Sequence, residues 1–459
     1  MNARTSTYLE NRCPHSRPAI MRLGMILALA LFAAPAIFAQ DVVDTIKIRT
    51  RVVFMDALVK DKRTGIPISD LKTENFELFD DGKPRTISYF NSEGQARKPL
   101  ALVLILDLRD DGAGRFLKRD EVRAAIVDEL AKLPAGDEVA ILAINLNTVD
   151  DKTAAIRNGK AIWLTEFTRD RTQLETALAR IPVLVAPSPD SDKKDASKHD
   201  PNSPDRESNA SISVSSDTDK NKSGDSAKSS QDKPKENDVL ETETIKGKNG
   251  AVVTRTIKKD GSVNVVRTSS SGKVNFQLDN IYDMAGATRD ATHIVEEKRP
   301  NSQAAIVWLS DGIAPIFKED VSATEQILIR QNAIFNTLNV DMRTLYKFLL
   351  PFGQPLIGWT GLNIAGSGKQ LAQQSGGETV HVSRVKDYGA GLARVIGNLN
   401  ARYSLGFALS EDERDDGRMH ELVLRVKAVD AKGKQKRLEV SSRRGYYMPK
   451  TETAEASVK

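Results

Sequence analysis

The sequence predicts an α/β fold, a doubly wound and mostly parallel sheet with flanking β-sandwich-like segments, on three observations. Leu100–Leu106 (LALVLIL) and Ala305–Leu309 (AIVWL) are continuous apolar runs, as strands buried on both faces require. Amphipathic stretches with helical spacing, Lys118–Leu133 and Thr172–Ile181, alternate with apolar strand-like segments. Short β patterns without helices precede and follow this region, and strands alternating with helices wind into a right-handed parallel sheet covered on both faces.

At the N-terminus, Met21-Arg22-Leu23 precedes an apolar run, Gly24–Phe38, and then Ala39-Gln40-Asp41. A basic start, an apolar stretch too short to span a bilayer and a small residue before a polar segment form a secretory signal, predicted over 1–39. The chain is therefore expected to be exported: periplasmic, on the cell surface or secreted. No later segment is apolar enough to span a membrane. The single cysteine, Cys13, lies before the apolar run and is lost on processing, which excludes disulfides, thiolate metal sites and a cysteine nucleophile from the mature chain. A net charge of +5 comes from Lys and Arg interspersed with Asp and Glu, with few aromatics between them. That is a solvated surface and no footprint for nucleic acid.

Residues 45–98 read as short β segments, with Asp81-Gly82 as a hairpin turn. The α/β domain opens at 99 and runs to 186, with a second strand at Glu138–Leu146. An insertion at 187–274 interrupts it. Pro187–Asp238 is dominated by Ser, Asp, Lys, Asn and Pro, which predicts disorder. Glu241–Thr268 alternates around Asn249-Gly250 and Asp260-Gly261 as a small three-stranded meander. The α/β domain resumes over 275–398, with strands at Asp341–Phe348 and Thr379–Val382. Residues 399–448 return to β structure, including the alternating Met419–Val429, and 449–459 are a polar tail. Neither β flank has enough strands to bury a core alone, so the two are expected to pack together.

Ligands of such sheets bind outside the carboxyl ends of the strands. The first apolar strand ends in Asp107-Leu108-Arg109-Asp110-Asp111, and Ala305–Leu309 ends in Ser310-Asp311-Gly312. Two carboxylates facing each other there need a cation or a positive side chain between them. These strand ends, with DLKTENFELFDDGKPRTISYF before the domain and YSLGFAL and SSRRGYYM after it, resemble the von Willebrand factor A (VWA)-related proteins of the Acidobacteria type, over about 45–448 without the insertion. The resemblance implies a Rossmann-like VWA domain and a metal-ion-dependent adhesion site. That site pairs Asp-x-Ser-x-Ser with a later Thr and the Asp of Ser-Asp-Gly. Here Asp107 and Asp311 match the carboxylates, Arg109 and Asp111 replace the two serines, and the Thr position falls at Asp279. All three hydroxyls are gone. We therefore expect a degenerate site, ligand-binding through Asp107, Arg109, Asp111, Asp279 and Asp311, with no cofactor and Arg109 standing in for the ion. Ca²⁺ or Mg²⁺ held by Asp107, Asp111, Asp279 and Asp311 is the alternative.

Catalytic motifs are weak. The histidines stand in unrelated contexts, no GxSxG elbow exists, and Gly366-Ser367-Gly368-Lys369-Gln370 lacks the remainder of a phosphate loop. Trp308 reads as core, and Asp412–Arg418 as a solvated turn. The expected function is a non-enzymatic protein-binding or adhesion module with an extracytoplasmic protein partner. A structural role in an envelope assembly is the alternative, and a hydrolase a distant third.

Overall fold

A computed structural model describes residues 51–92, 98–109, 113–144, 156–157, 161–185, 210–215, 239–258, 263–270, 272–278, 284–340, 361–430 and 432–448. The predicted signal segment, the Asp341–Phe348 strand and the 449–459 tail lie outside these residues. The described residues belong to one compact unit, Thr50–Lys459.

At its centre is a seven-stranded sheet. Its spatial order is Thr379–Val382, Ile334–Val340, Gln303–Ser310, Leu100–Asp107, Glu138–Ile144, Ala161–Thr168, Ile156–Arg157. The first five run parallel, and the last two form an antiparallel edge. All eight residues of Leu100–Asp107 are buried, because both faces of this central strand are covered by helices. One face packs against Asp120–Leu130, Arg171–Ala179 and Tyr388–Asn400. The other packs against Met284–Lys298, Lys318–Arg330 and Ser367–Ser375. Trp308 is 1% exposed in this second layer. Helix Ser367–Ser375 approaches closely enough that a Cβ on Gly368 would lie 3.1 Å from Thr337 Cγ2 and 3.3 Å from Trp308 Cζ3, so its glycine serves packing. Helix Arg171–Ala179, expected over Thr172–Ile181, is capped by Asp170, which accepts the Thr172 amide at 2.9 Å. The helix expected over Lys118–Leu133 spans Asp120–Leu130, and a separate short helix, Gly114–Leu117, precedes it across an extended Arg119.

Both β flanks contribute strands to each of two four-stranded antiparallel sheets. One is Leu438–Ser442, Val52–Asp61, Tyr403–Ala408, Tyr89–Asn91; the other is Gly445–Tyr447, Met419–Val426, Phe76–Asp80, Lys83–Arg85. They enclose one apolar cluster that includes Met55, Phe76, Leu78, Tyr403, Phe407 and Tyr446. Asp81 and Gly82 both take positive φ, 48° and 78°, as the two-residue turn joining Phe76–Asp80 to Lys83–Arg85 demands.

The insertion differs from expectation. It is a five-stranded antiparallel sheet ordered Val239–Lys246, Val252–Lys258, Val263–Ser269, Gly272–Leu278, Ala210–Ser215. Ala210–Ser215 lies inside the stretch expected to be disordered. Its alternation (ASISVS) is short and polar, and only pairing with Gly272–Leu278 makes it a strand. Buried ion pairs hold this sheet to the first turn of helix Lys318–Arg330. Arg267 Nη2 and Nε meet Glu319 at 2.9 and 3.0 Å, and Arg255 Nη2 meets Asp320 Oδ2 at 2.9 Å. Arg289, from helix Met284–Lys298, joins Asp320 at 3.1 Å and Glu243 at 2.6 Å.

Candidate functional site

The strand order reverses between Leu100–Asp107 and Gln303–Ser310. From the first strand the chain builds outward through Glu138–Ile144, then returns to build the other way from Gln303. At such a reversal the loops leave in opposite directions and open a crevice. Leu309 pairs with Leu106, which sets Asp107 beside Ser310 and Asp311. Asp107 is fully buried and Asp311 is 6% exposed.

Arg109 closes this pair. Its Nη2 lies 2.6 Å from Asp311 Oδ1 and 3.1 Å from Asp107 Oδ2, and its Nε lies 3.3 Å from both oxygens of Asp107. The Arg109 amide also donates to Asp107 Oδ1 at 3.2 Å. Ser310 Oγ lies 3.3 Å from Asp107 Oδ2 and 3.4 Å from Asp311 Oδ1, and accepts the Gly312 amide at 3.0 Å. A planar guanidinium donating to two carboxylates offsets the repulsion that would otherwise protonate one of them.

Backbone packing sets the position of Arg109. The Gly114 amide donates to the Arg109 carbonyl at 2.9 Å, and a Cβ on Gly114 would collide with the Leu108 carbonyl and come within 2.6 Å of the Arg109 carbonyl. Only glycine fits there.

Of the residues predicted for this site, Asp107, Arg109 and Asp311 meet. Asp111 and Asp279 lie outside the described residues. Three neighbours escaped the sequence reading. Ser310 was visible in Ser-Asp-Gly but carried no assigned role. Asn339 stands opposite Ser310 in register, its Nδ2 3.0 Å from where a Gly312 Cβ would be. The third is Tyr388, which begins helix Tyr388–Asn400. It is fully buried, its hydroxyl has no hydrogen-bond partner among the described residues, and burial together with the Asp107 charge pushes its ionisation well above the usual range. No sequence signal marked it.

No family model matches the chain, and no curated protein matches it in sequence. Among solved structures, it is similar to the pilus adhesin SpaC of Lactobacillus rhamnosus GG in its open conformation, at 7% identity and a TM-score of 0.31. The match covers 81% of this chain and 48% of that one, so the chain spans about half the length of the adhesin. No helix among the described residues is long and apolar enough to cross a membrane.

Proposed function

We propose that the chain is an exported, non-enzymatic protein-binding or adhesion module. Its crevice is that of a doubly wound VWA-like domain in which Arg109 occupies the place of the adhesion-site cation. The observation that carries this reading is the Arg109 guanidinium lying within hydrogen-bond reach of both Asp107 and Asp311. The strand order and the position of both aspartates at its reversal support the VWA-like assignment. The residues present do not fit Mg²⁺, which requires a tight octahedron of small oxygen ligands and would share this space with a fixed positive charge. Export rests on the predicted signal over 1–39.

Calorimetry with Ca²⁺, Mg²⁺ and Mn²⁺ tests the substitution of arginine for metal. No uptake at the crevice is expected for the native chain. Tight stoichiometric binding that Asp311→Ala abolishes would overturn it. The binding role is tested by pull-down from an envelope fraction with native chain and Arg109→Lys, each first shown to be folded. Loss of a captured protein with the variant supports a binding crevice, and identical capture argues for the structural alternative.

A further inference from the structure

Where the second flanking sheet turns at Asp81-Gly82, three ligand-type side chains converge far from the crevice in sequence. His420 Nδ1 lies 3.0 Å from Asp81 Oδ2 and 4.0 Å from Asp80 Oδ1, and the three residues each bring a ligand atom within 4.8 Å of the others. Consecutive strand residues normally point to opposite faces. The positive φ of Asp81 turns its carboxylate back toward His420, and the Glu421 amide fixes it by donating to Asp81 Oδ1 at 2.9 Å.

Asp80 and His420 are 3% and 4% exposed. Asp80 Oδ2 is well satisfied, by Arg85 at 2.7 and 3.0 Å and by the Tyr446 hydroxyl at 3.1 Å. Asp80 Oδ1 is different: it is buried, aimed at the cluster, and accepts no hydrogen bond among the described residues. An anionic oxygen left so is costly unless something positive meets it. On its other side, His420 Nε2 lies 3.2 Å from Asp416 Oδ1, and the ring stacks on Tyr446 with centroids 5.0 Å apart. Carboxylates thus face both ring nitrogens: the one at Nε2 orients the ring, as outer partners of metal-ligating histidines do, while Nδ1 must give up the proton it shares with Asp81 Oδ2 before it can bind a cation.

We propose that His420 Nδ1, Asp80 Oδ1 and Asp81 Oδ2 form a site for a first-row divalent cation of the Zn²⁺ class. One nitrogen and two carboxylate oxygens suit that ion, whose ligand atoms stand about 3.3 Å apart around a tetrahedron. Nδ1 and Asp81 Oδ2 already stand near that separation, Asp80 Oδ1, 4.0 Å from Nδ1, moves in to close the set, and water takes the remaining position on the solvent side. Binding releases the Nδ1 proton to solvent while Nε2–H stays on Asp416. The Arg418 guanidinium and the Glu421 amide hold the Asp81 carboxylate in place. Arg418 is also the competitor. Its Nη2 lies 2.8 Å from Asp81 Oδ2 and its Nε 2.6 Å from Asp416 Oδ2, but its side chain is 56% exposed and can swing into water.

The test is calorimetry of the purified full chain with Zn²⁺, paired with the visible spectrum of the Co²⁺-loaded protein. Asp81→Asn and His420→Gln should each weaken uptake at least about tenfold. Arg418→Gln should strengthen it, and Asp311→Asn should leave it unchanged. Because buried His420→Gln can fail to fold, Asp81→Asn, a partly exposed position, carries the test independently. No uptake by the native chain overturns the proposal, as does uptake that survives Asp81→Asn. Uptake lost with Asp311→Asn would place the ion in the crevice and also overturn it.

Discussion

Arg109 reaches across the sheet reversal to Asp311, its Nη2 2.6 Å from Oδ1, so a residue two positions beyond one strand neutralises the residue just past its neighbour. Both carboxylates are nearly out of solvent, so the guanidinium is their main offset. Replacing it with an apolar side chain removes that offset from two buried carboxylates. We expect Arg109→Leu to lower stability by about 3–5 kcal/mol, measured by urea denaturation. Asp311→Asn added to that variant should recover part of the loss.

Gly114 positions Arg109 through its backbone. A methyl there collides with the Leu108 carbonyl, and neither it nor the adjoining strand end is a flexible side chain that can give way. Gly114→Ala is expected to cost about 1–3 kcal/mol, the range for an overpacked site, measured by the shift in denaturation midpoint. Ala at Gly397, where an added Cβ meets nothing within 4 Å, is the control and should not destabilise.

The inserted sheet is docked by charges. Asp320 meets both Arg255 and Arg289, so Asp320→Ala leaves two buried guanidinia sharing Glu243 and should cost about 3 kcal/mol, the low end for a broken buried pair. Hydrogen exchange should show the loss first in 239–278, with the Leu100–Asp107 strand protected longest.

The same contact predicts a pH dependence. Burial pushes Glu243 up, but the facing Arg289 and Arg255 outweigh it and hold its carboxyl below the usual range. Glu319 behaves likewise, burial opposed by the stronger pull of Arg267. A carboxyl depressed in the fold stabilises it above the unfolded-state value of about 4.3 and loses that contribution as pH falls through the folded value. Exchange protection of the inserted sheet should therefore hold at neutral pH and drop below about pH 4, and Glu319→Gln should flatten the dependence.

Lys60 is 2% exposed and pairs with Glu378, joining the flanking strand Val52–Asp61 to the edge of the central sheet. Burial pushes Glu378 up and the Lys60 ammonium overrides it. Lys60→Met keeps the volume but removes the charge. A loss of about 3 kcal/mol is expected by urea denaturation, because Glu378 keeps a charge without its closest partner.

Much of the architecture follows from apolar patterning. Leu100–Leu106 and Ala305–Leu309 are uniformly apolar, and only a strand covered on both faces places such a run out of water. The Asp81-Gly82 turn and the Asp170 cap are equally local, each set by backbone chemistry within a few residues. Strand Ile334–Val340 (IFNTLNV) escaped this reading because Asn336 and Thr337 are polar yet buried, their place set by pairing with Gln303–Ser310.

By itself the sequence determined where the buried strands lie, that their ends carry Asp107 and Asp311, and that Arg109 stands between hydroxyl-free neighbours. Tertiary structure decided what each charge faces. Asp412–Arg418 reads as a solvated turn, yet Glu413 binds Arg85, Asp416 binds His420 and Arg418 binds Asp81. His420 reads as isolated, yet strand pairing of Met419–Val426 with Phe76–Asp80 brings it to two aspartates more than three hundred residues away. The reason is physical: burial and turn preference are encoded locally, whereas electrostatic partners are chosen by which strands become neighbours.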